Sequence, residues 1–132
     1  MSCCGSSNSS APLGSAGNPF IVRQGSTFEF TLRFFRNGSP RDLSDRTGTA
    51  HLRASPALAG SALAEFDVTI RDPQTGSGRG RVDVRLGATV TAYPQIAAGD
   101  YVFDVELTLD SDDDDVIATD TFYLRLLPEV TL

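Results

Sequence analysis

The chain has 132 residues, enough for one domain, with 40% apolar and 21% charged residues. The formal net charge is −6, and all 11 basic residues are arginine. An acidic balance disfavours binding to nucleic acid, because that binding depends on neutralising phosphates with basic side chains. No run approaches the roughly 18 apolar residues of a membrane span, and the first residues lack the pattern of a secretory signal. We therefore expect a folded domain that binds neither nucleic acid nor membrane.

The first 17 residues differ in composition from the rest of the chain. They include six serines and three glycines, and their only sizeable apolar side chains are Met1 and Leu13. Such a segment buries too little apolar surface to offset the entropy that is lost when it becomes ordered. The sequence therefore predicts an extended Ser/Gly-rich arm over residues 1–17 and a folded domain over residues 18–132.

From Phe20 onward, apolar and polar residues alternate, which is typical of half-buried strands. After a first strand at Phe20, the alternation predicts six more strands, over residues 27–34, 49–53, 64–70, 81–86, 101–109 and 116–126. Asn37 and Gly38 predict a type I′ hairpin turn, in which both central residues need a positive φ. Residues 88–98 are the one stretch with a helical pattern, and Pro94 limits that helix to about one turn.

Seven short strands in about 115 residues predict an all-β fold. The expected architecture is a single antiparallel, Ig-like β-sandwich with one short helical turn and an extended N-terminal arm. The likeness to immunoglobulin domains concerns architecture only, because the chain has no tryptophan for a Cys…Trp…Cys core. The aromatic strands that contain Phe28 with Phe30, and Tyr101 with Phe103, should supply the core without a disulfide.

Few residues have the chemistry of a binding or catalytic site. His51 is the only histidine, and without a nucleophile or a second metal ligand we interpret it as structural. Residues 110–115 hold five carboxylates, which could bind calcium, and Asp112 and Asp114 are the weak candidate ligands. The turn glycine and distal glutamate of a calcium loop are missing, so we interpret this run as a solvated hairpin tip.

Two further motifs suggest chemistry only superficially. Cys3 and Cys4 could cross-link subunits or bind metal where arms converge, but adjacent cysteines do not readily pair with each other, and we interpret them as incidental. Residues 76–81 are rich in glycine but lack the Lys-Ser/Thr ending and the following helix of a phosphate loop. Three arginines in and after this loop are expected to meet acidic partners: Arg79, Arg81 and Arg85. The sequence thus predicts no catalytic residue, no metal site and no cofactor, and we expect the protein not to be an enzyme.

Several runs of turn and strand residues share one pattern along the domain. They are Gln24-Gly25-Ser26-Thr27-Phe28 before a Phe/Leu strand, Asn37-Gly38-Ser39-Pro40, Asp42-Leu43-Ser44, the run Ala97 to Val105 with its Gly-x-Tyr-x-Phe-Asp strand, and Leu126-Leu127-Pro128-Glu129-Val130-Thr131. Together these runs resemble small β-sandwich proteins encoded among tailed-phage virion genes. They are similar to the N-terminal domain of siphophage baseplate upper proteins and to tail fibre-attachment modules. The resemblance covers roughly residues 20–131.

The resemblance implies a non-enzymatic structural subunit of a virion, assembled in the host cytoplasm. We expect a connector at the tail, baseplate or fibre attachment. Its partners would be other virion structural proteins, reached through the N-terminal arm and the sandwich surface within an oligomeric assembly. A head decoration or neck subunit of the same virion is one alternative. A carbohydrate- or receptor-binding Ig-like module is an alternative of another class.

Overall fold

The computed structural model describes residues 11–54 and 61–129. In these ranges the strands are β1 (Phe20–Arg23), β2 (Phe28–Arg33), β3 (Phe35–Arg36), β4 (Ser39–Pro40), β5 (Arg46–Ala54), β6 (Ala64–Glu65), β7 (Asp67–Ile70), β8 (Arg81–Leu86), β9 (Gly99–Phe103), β10 (Val105–Leu109), β11 (Asp112–Ala118) and β12 (Phe122–Leu127). A four-residue helix, α1 (Ala88–Thr91), and a 3-10 turn (Gly76–Gly78) are also present. The predicted all-β fold with one short helical turn is confirmed. Within the described ranges, no helix is long and apolar enough to cross a membrane.

Two sheets form a β-sandwich. The larger sheet has the strand order β11-β10-β5-β9-β12-β1, with β6 attached to β5, and the smaller has the order β2-β8-β7. Strands β3 and β4 form a separate antiparallel hairpin. The pairing is antiparallel, as predicted, except that β1 runs parallel to β12. Parallel neighbours need a long connection, and here almost the whole domain lies between the two strands in sequence.

Several predicted strands are divided in the structure. Residues 101–109 separate at Asp104 into β9 and β10, which both pair with β5. The amide of Val105 at this break donates to Thr119 Oγ1 over 3.0 Å. Residues 116–126 separate into β11 and β12, which lie at different positions in the larger sheet. The prediction of about seven strands therefore undercounts the described elements, because the segments on either side of each break pair with different strands.

The local turn predictions agree with the structure. Asn37 and Gly38 have φ values of 52° and 81°, and they join β3 to β4 as the type I′ turn requires. Helix α1 ends at Thr91, before Pro94, as the sequence predicts.

The core lies between the two sheets and is dominated by phenylalanine. Phe103 is fully buried, and its ring centroid lies 4.5 Å from that of Phe66 and 5.2 Å from that of Phe122. The other aromatic members of this core are Phe20, Phe28, Phe30, Phe34 and Tyr101. Both predicted aromatic strands thus contribute to one hydrophobic core.

The described part of the predicted N-terminal arm lies against the domain. Gly14 is buried, and its carbonyl accepts a hydrogen bond of 2.7 Å from the Tyr123 amide, while its own amide donates to the Asn18 carbonyl over 2.6 Å. A Cβ atom on Gly14 would lie 2.6 Å from Phe20 Cε2, so this turn sits directly on an aromatic ring. Residues 11–17 therefore extend the folded domain, whereas residues 1–10, including Cys3 and Cys4, lie outside the described residues.

Candidate functional site

The candidate site is an open groove of about 430 Å³ where the β3–β4 hairpin meets the start of β5. Four of the residues that line it are arginines: Arg36, Arg41, Arg46 and Arg79. The carboxylates in its lining belong to Asp42 and Asp45. We call this feature the arginine groove, and it offers more positive than negative side chains in a chain that is acidic overall.

Asp42 shapes one wall of the groove. Its Oδ1 accepts hydrogen bonds from the Ser44 hydroxyl, over 2.7 Å, and from the Ser44 amide, over 3.0 Å. The hydroxyl bond first, and the amide bond second, hold the pKa of Asp42 below its ordinary value. These two bonds fix the turn that leads into β5.

The buried side chain of Gln74 supports the same wall of the groove. Gln74 Oε1 accepts hydrogen bonds from the amides of Leu43, over 3.0 Å, and Gly80, over 2.9 Å. Its Nε2 donates to the carbonyls of Arg71, over 2.7 Å, and Gly78, over 3.1 Å. All four hydrogen-bonding positions of this amide are satisfied. Gln74 thereby ties the 71–80 loop to the groove wall, a role that the sequence analysis missed.

Two of the groove arginines are held by neighbouring groups. The side chain of Arg46 is only 6% exposed, and its Nη2 lies 3.0 Å from Asp115 Oδ1. The Nη1 of Arg46 also donates to the carbonyls of Leu107 and Asp115, each over 3.2 Å. Arg79 Nε donates to the Pro40 carbonyl over 3.1 Å. These two side chains are therefore structural as well as part of the lining.

The other two groove arginines are not held in this way. Arg36 is exposed and Arg41 is half-buried, and neither side chain has a hydrogen bond or ion pair among residues 11–54 and 61–129. A guanidinium group presents five donors in a planar fork that fits a carboxylate or phosphate in bidentate geometry. The groove thus presents two guanidinium groups that have no side-chain partner among the described residues.

The acidic run beside the groove forms the end of the β10–β11 hairpin. Residues 110–111 form the turn, and residues 112–115 are the first residues of β11. Asp112 is in register with Leu109, and the next register pair joins Thr108 to Val116, so residues 113–115 lie in a bulge. Residues 110–114 are exposed, and the run therefore lies where the hairpin-tip interpretation puts it.

The candidate calcium ligands lie on this exposed strand. Asp112 and Asp114 are both exposed, and Asp112 Oδ1 accepts a hydrogen bond of 3.1 Å from the Asp114 amide. Asp110 Oδ1 accepts one of 2.6 Å from Thr47 Oγ1. In the part of the chain that the structure describes, no group of three or more His, Cys, Asp or Glu side chains could hold a metal ion.

His51 lies away from the groove, on the outer face of the larger sheet. It is half-buried, and its Nε2 lies 3.9 Å from Glu65 Oε2 on the neighbouring strand. The structure brings no cysteine or second histidine to it among the described residues. The structural interpretation of His51 stays a prediction.

The glycine-rich loop places its three arginines in different surroundings. Arg79 lines the groove, whereas Arg81 Nε donates to the Ser77 carbonyl and Arg85 Nη1 lies 3.9 Å from Asp67 Oδ2. Of the three arginines that the sequence assigns to acidic partners, Arg79 is the one in the groove.

A second charged cluster occupies the solvent face of the smaller sheet. Asp83 accepts hydrogen bonds from Arg71 Nη2, over 2.7 Å, and from Thr31 Oγ1, over 2.7 Å. The bond from Arg71 is the largest cause, ahead of that from Thr31, that holds the pKa of Asp83 below its ordinary value. This cluster is internally paired and offers no free guanidinium comparable to those of the groove.

Comparisons with known proteins assign no family. No protein-family model matches the sequence, and no curated protein matches it. Among solved structures, the chain is similar to CopC from Methylosinus trichosporium OB3b, with 16% identity and a TM-score of 0.44 over 86% of this chain and 88% of that chain. A likeness at this level carries no argument about function.

Proposed function

We propose that this chain is a non-enzymatic structural subunit of a phage virion, most simply a connector at the tail, baseplate or fibre attachment. The turn and strand runs that resemble tailed-phage β-sandwich proteins support this proposal. Its partners are other virion structural proteins, and its place is the assembled particle. The same fold serves many functions, so the proposal depends on the surface of the domain rather than on its architecture.

The observation that carries the proposal is the arginine groove. Arg36 and Arg41 both line the groove, and their side chains have no partner among the described residues. Bidentate contacts from such arginines suit the carboxylates of a protein partner. A groove that presents free guanidinium groups suits docking of an acidic surface, because opposite charges on the two partners favour their association.

Exposed apolar side chains near the N-terminal segment supply a second contact surface. Leu13 is 62% exposed and Ile21 is 61% exposed. Leu13 lies in the turn that covers Phe20, and Ile21 lies on edge strand β1. We infer that this surface, together with residues 1–10, binds a neighbouring subunit, since apolar side chains gain most when a partner removes them from water.

The test is incorporation into particles. A tagged chain is expressed in the cell that encodes it while particle production is induced, and particles are purified on a density gradient. The full chain should band with the particles, and immunogold labelling should then distinguish the tail from the head or neck. Absence of the chain from purified particles would contradict the proposal, and specific binding to a glycan array would favour the carbohydrate-binding alternative.

Two truncations separate assembly from folding. Removal of residues 1–10 should leave the domain folded and reduce its incorporation. Removal of residues 1–17 also deletes the Gly14 carbonyl that accepts from Tyr123, so it should lower stability as well. Normal incorporation of the shorter truncation would contradict the role of residues 1–10 in assembly.

A further inference from the structure

The arginine groove and the acidic run lie side by side on the molecule. We define the acidic edge as residues 110–115, the turn and the first residues of β11. Two contacts join it to the groove: the Asp110 amide donates to the Asp45 carbonyl over 2.8 Å, and Asp115 pairs with Arg46 over 3.0 Å. Two surfaces of opposite charge thus share one border.

Within one copy, charged side chains on both sides of this border have no ion-pair partner among the described residues. Asp112, Asp113 and Asp114 are exposed, and none of them forms an ion pair within the described ranges. On the other side of the border, Arg36 and Arg41 have no side-chain partner there either. The Arg46–Asp115 pair shows that carboxylates of this strand fit arginines of this groove.

We propose that two copies of the chain associate about a twofold axis, with the acidic edge of each copy in the arginine groove of the other. In such an isologous interface, residue i of one copy contacts residue j of the second, and the reverse contact forms as well. The groove and the acidic edge can form such an interface because they are adjacent and opposite in charge. Rotation of the second copy by 180° about the twofold axis places its acidic edge at the first copy's groove, and its groove at the first copy's acidic edge. The inference does not depend on the proposed virion role, since it concerns the purified chain alone.

The expected affinity is modest. A groove and a strand edge bury less surface than a standard interface, so we expect a weak dimer that forms only at high protein concentration. The net charge of −6 on each copy opposes association at long range, while the ion pairs favour it at short range. Salt screens both effects, so charge reversal is a sharper probe than ionic strength.

The experiment uses the full chain in sedimentation-velocity runs over a concentration series. A groove variant carries R36E with R41E, and an edge variant carries D113R with D114R. Each variant alone should dimerise at least about tenfold more weakly than the wild type, because like charges then face each other. An equimolar mixture of the two variants should form a heterodimer of near wild-type affinity. In that heterodimer, the acidic groove of the first variant faces the basic edge of the second, and the unchanged acidic edge faces the unchanged groove.

A matched control and a milder pair of variants complete the test. R85E with R125E makes the same change in charge outside the groove and should leave dimerisation unchanged. If the reversed variants fail to fold, the neutral variants R41Q and D113N replace them; each removes one charge and should weaken the dimer by about threefold or more. A wild-type chain that stays monomeric at about 500 µM, folded variants that do not restore association when mixed, or an equal loss in the control would each overturn the proposal.

Discussion

Replacement of Gln74 by leucine should destabilise the domain more than any other single polar-to-apolar change in the loops around the groove. The glutamine amide connects two loops through four hydrogen bonds. Leucine has a similar size but no polar atom, so it keeps most of the packing and removes all four bonds. The amides of Leu43 and Gly80 then lose their acceptor, and both residues are buried.

The expected loss of stability is calculated from the two amides that lose their acceptor. An unpaired buried amide costs about 1–3 kcal/mol, so two of them lower the free energy of unfolding by about 2–6 kcal/mol. The carbonyls of Arg71 and Gly78 contribute less, because a carbonyl that lacks a donor is better tolerated than an amide that lacks an acceptor. Since domains are stable by only about 5–15 kcal/mol, this is a large share of the total.

Urea unfolding followed by far-UV circular dichroism measures the effect, since the chain has no tryptophan to report by fluorescence. The matched control is Gln95→Leu, a glutamine that is exposed and should change stability by less than about 0.5 kcal/mol. Equal midpoints for the two variants, at unchanged m-value, would refute the reasoning that Gln74 holds the loops together.

Three further outcomes are expected. Phe103→Ala should cost about 3–5 kcal/mol, because the ring is fully buried; a urea-measured loss below about 1 kcal/mol would contradict this. Calorimetric titration of calcium should show no micromolar binding to residues 110–115, because the run lacks the turn glycine and distal glutamate of a calcium loop; micromolar affinity would show the opposite. Arg71 lowers the pKa of Asp83, so the pair stabilises the fold above the unfolded pKa of that carboxyl, and this contribution is lost as pH falls through the folded pKa. Asp83→Asn should therefore flatten the dependence of melting temperature on pH below about pH 4, and an unchanged acid sensitivity would argue against the pair.

Alternation in the sequence was sufficient to predict the fold class, but it could not locate the breaks in the strands. Phe103 and Val105 both face the core, and Asp104 between them preserves the period of two. At the interruption the chain changes its partner from β12 to β11, and these strands are neighbours of β9 and β10 only in the folded chain. The sequence also misplaced the start of the folded domain. The composition of residues 11–17 predicts an extended arm, but the turn around Gly14 packs on Phe20 and bonds to the Tyr123 amide, which are distant in sequence or follow the predicted boundary.

The sequence could not predict the arginine groove, because its residues become neighbours only in the folded chain. Arg36 lies on a hairpin, Arg41 follows it, and Arg79 comes from a loop that a buried glutamine draws against them. The sequence did indicate that Arg79 would meet an acidic partner, but nothing in it distinguished Arg79 from Arg81. That distinction depends on which carbonyl each guanidinium reaches: Pro40 for the first and Ser77 for the second.

The aspartates of β11 also determine how the larger sheet ends. Among the described strands, β11 pairs only with β10, so one side of its backbone is open to another strand. Strand addition there would bring a second backbone against four consecutive carboxylates and remove part of their hydration, which is how charged edge strands resist sheet extension. The same carboxylates remain free to meet guanidinium groups, which replace lost hydration with charged hydrogen bonds. The acidic edge therefore disfavours pairing with the backbone of another strand and favours contacts with basic side chains. A partner at this end of the molecule is then selected by its side chains and not by the presence of an exposed strand.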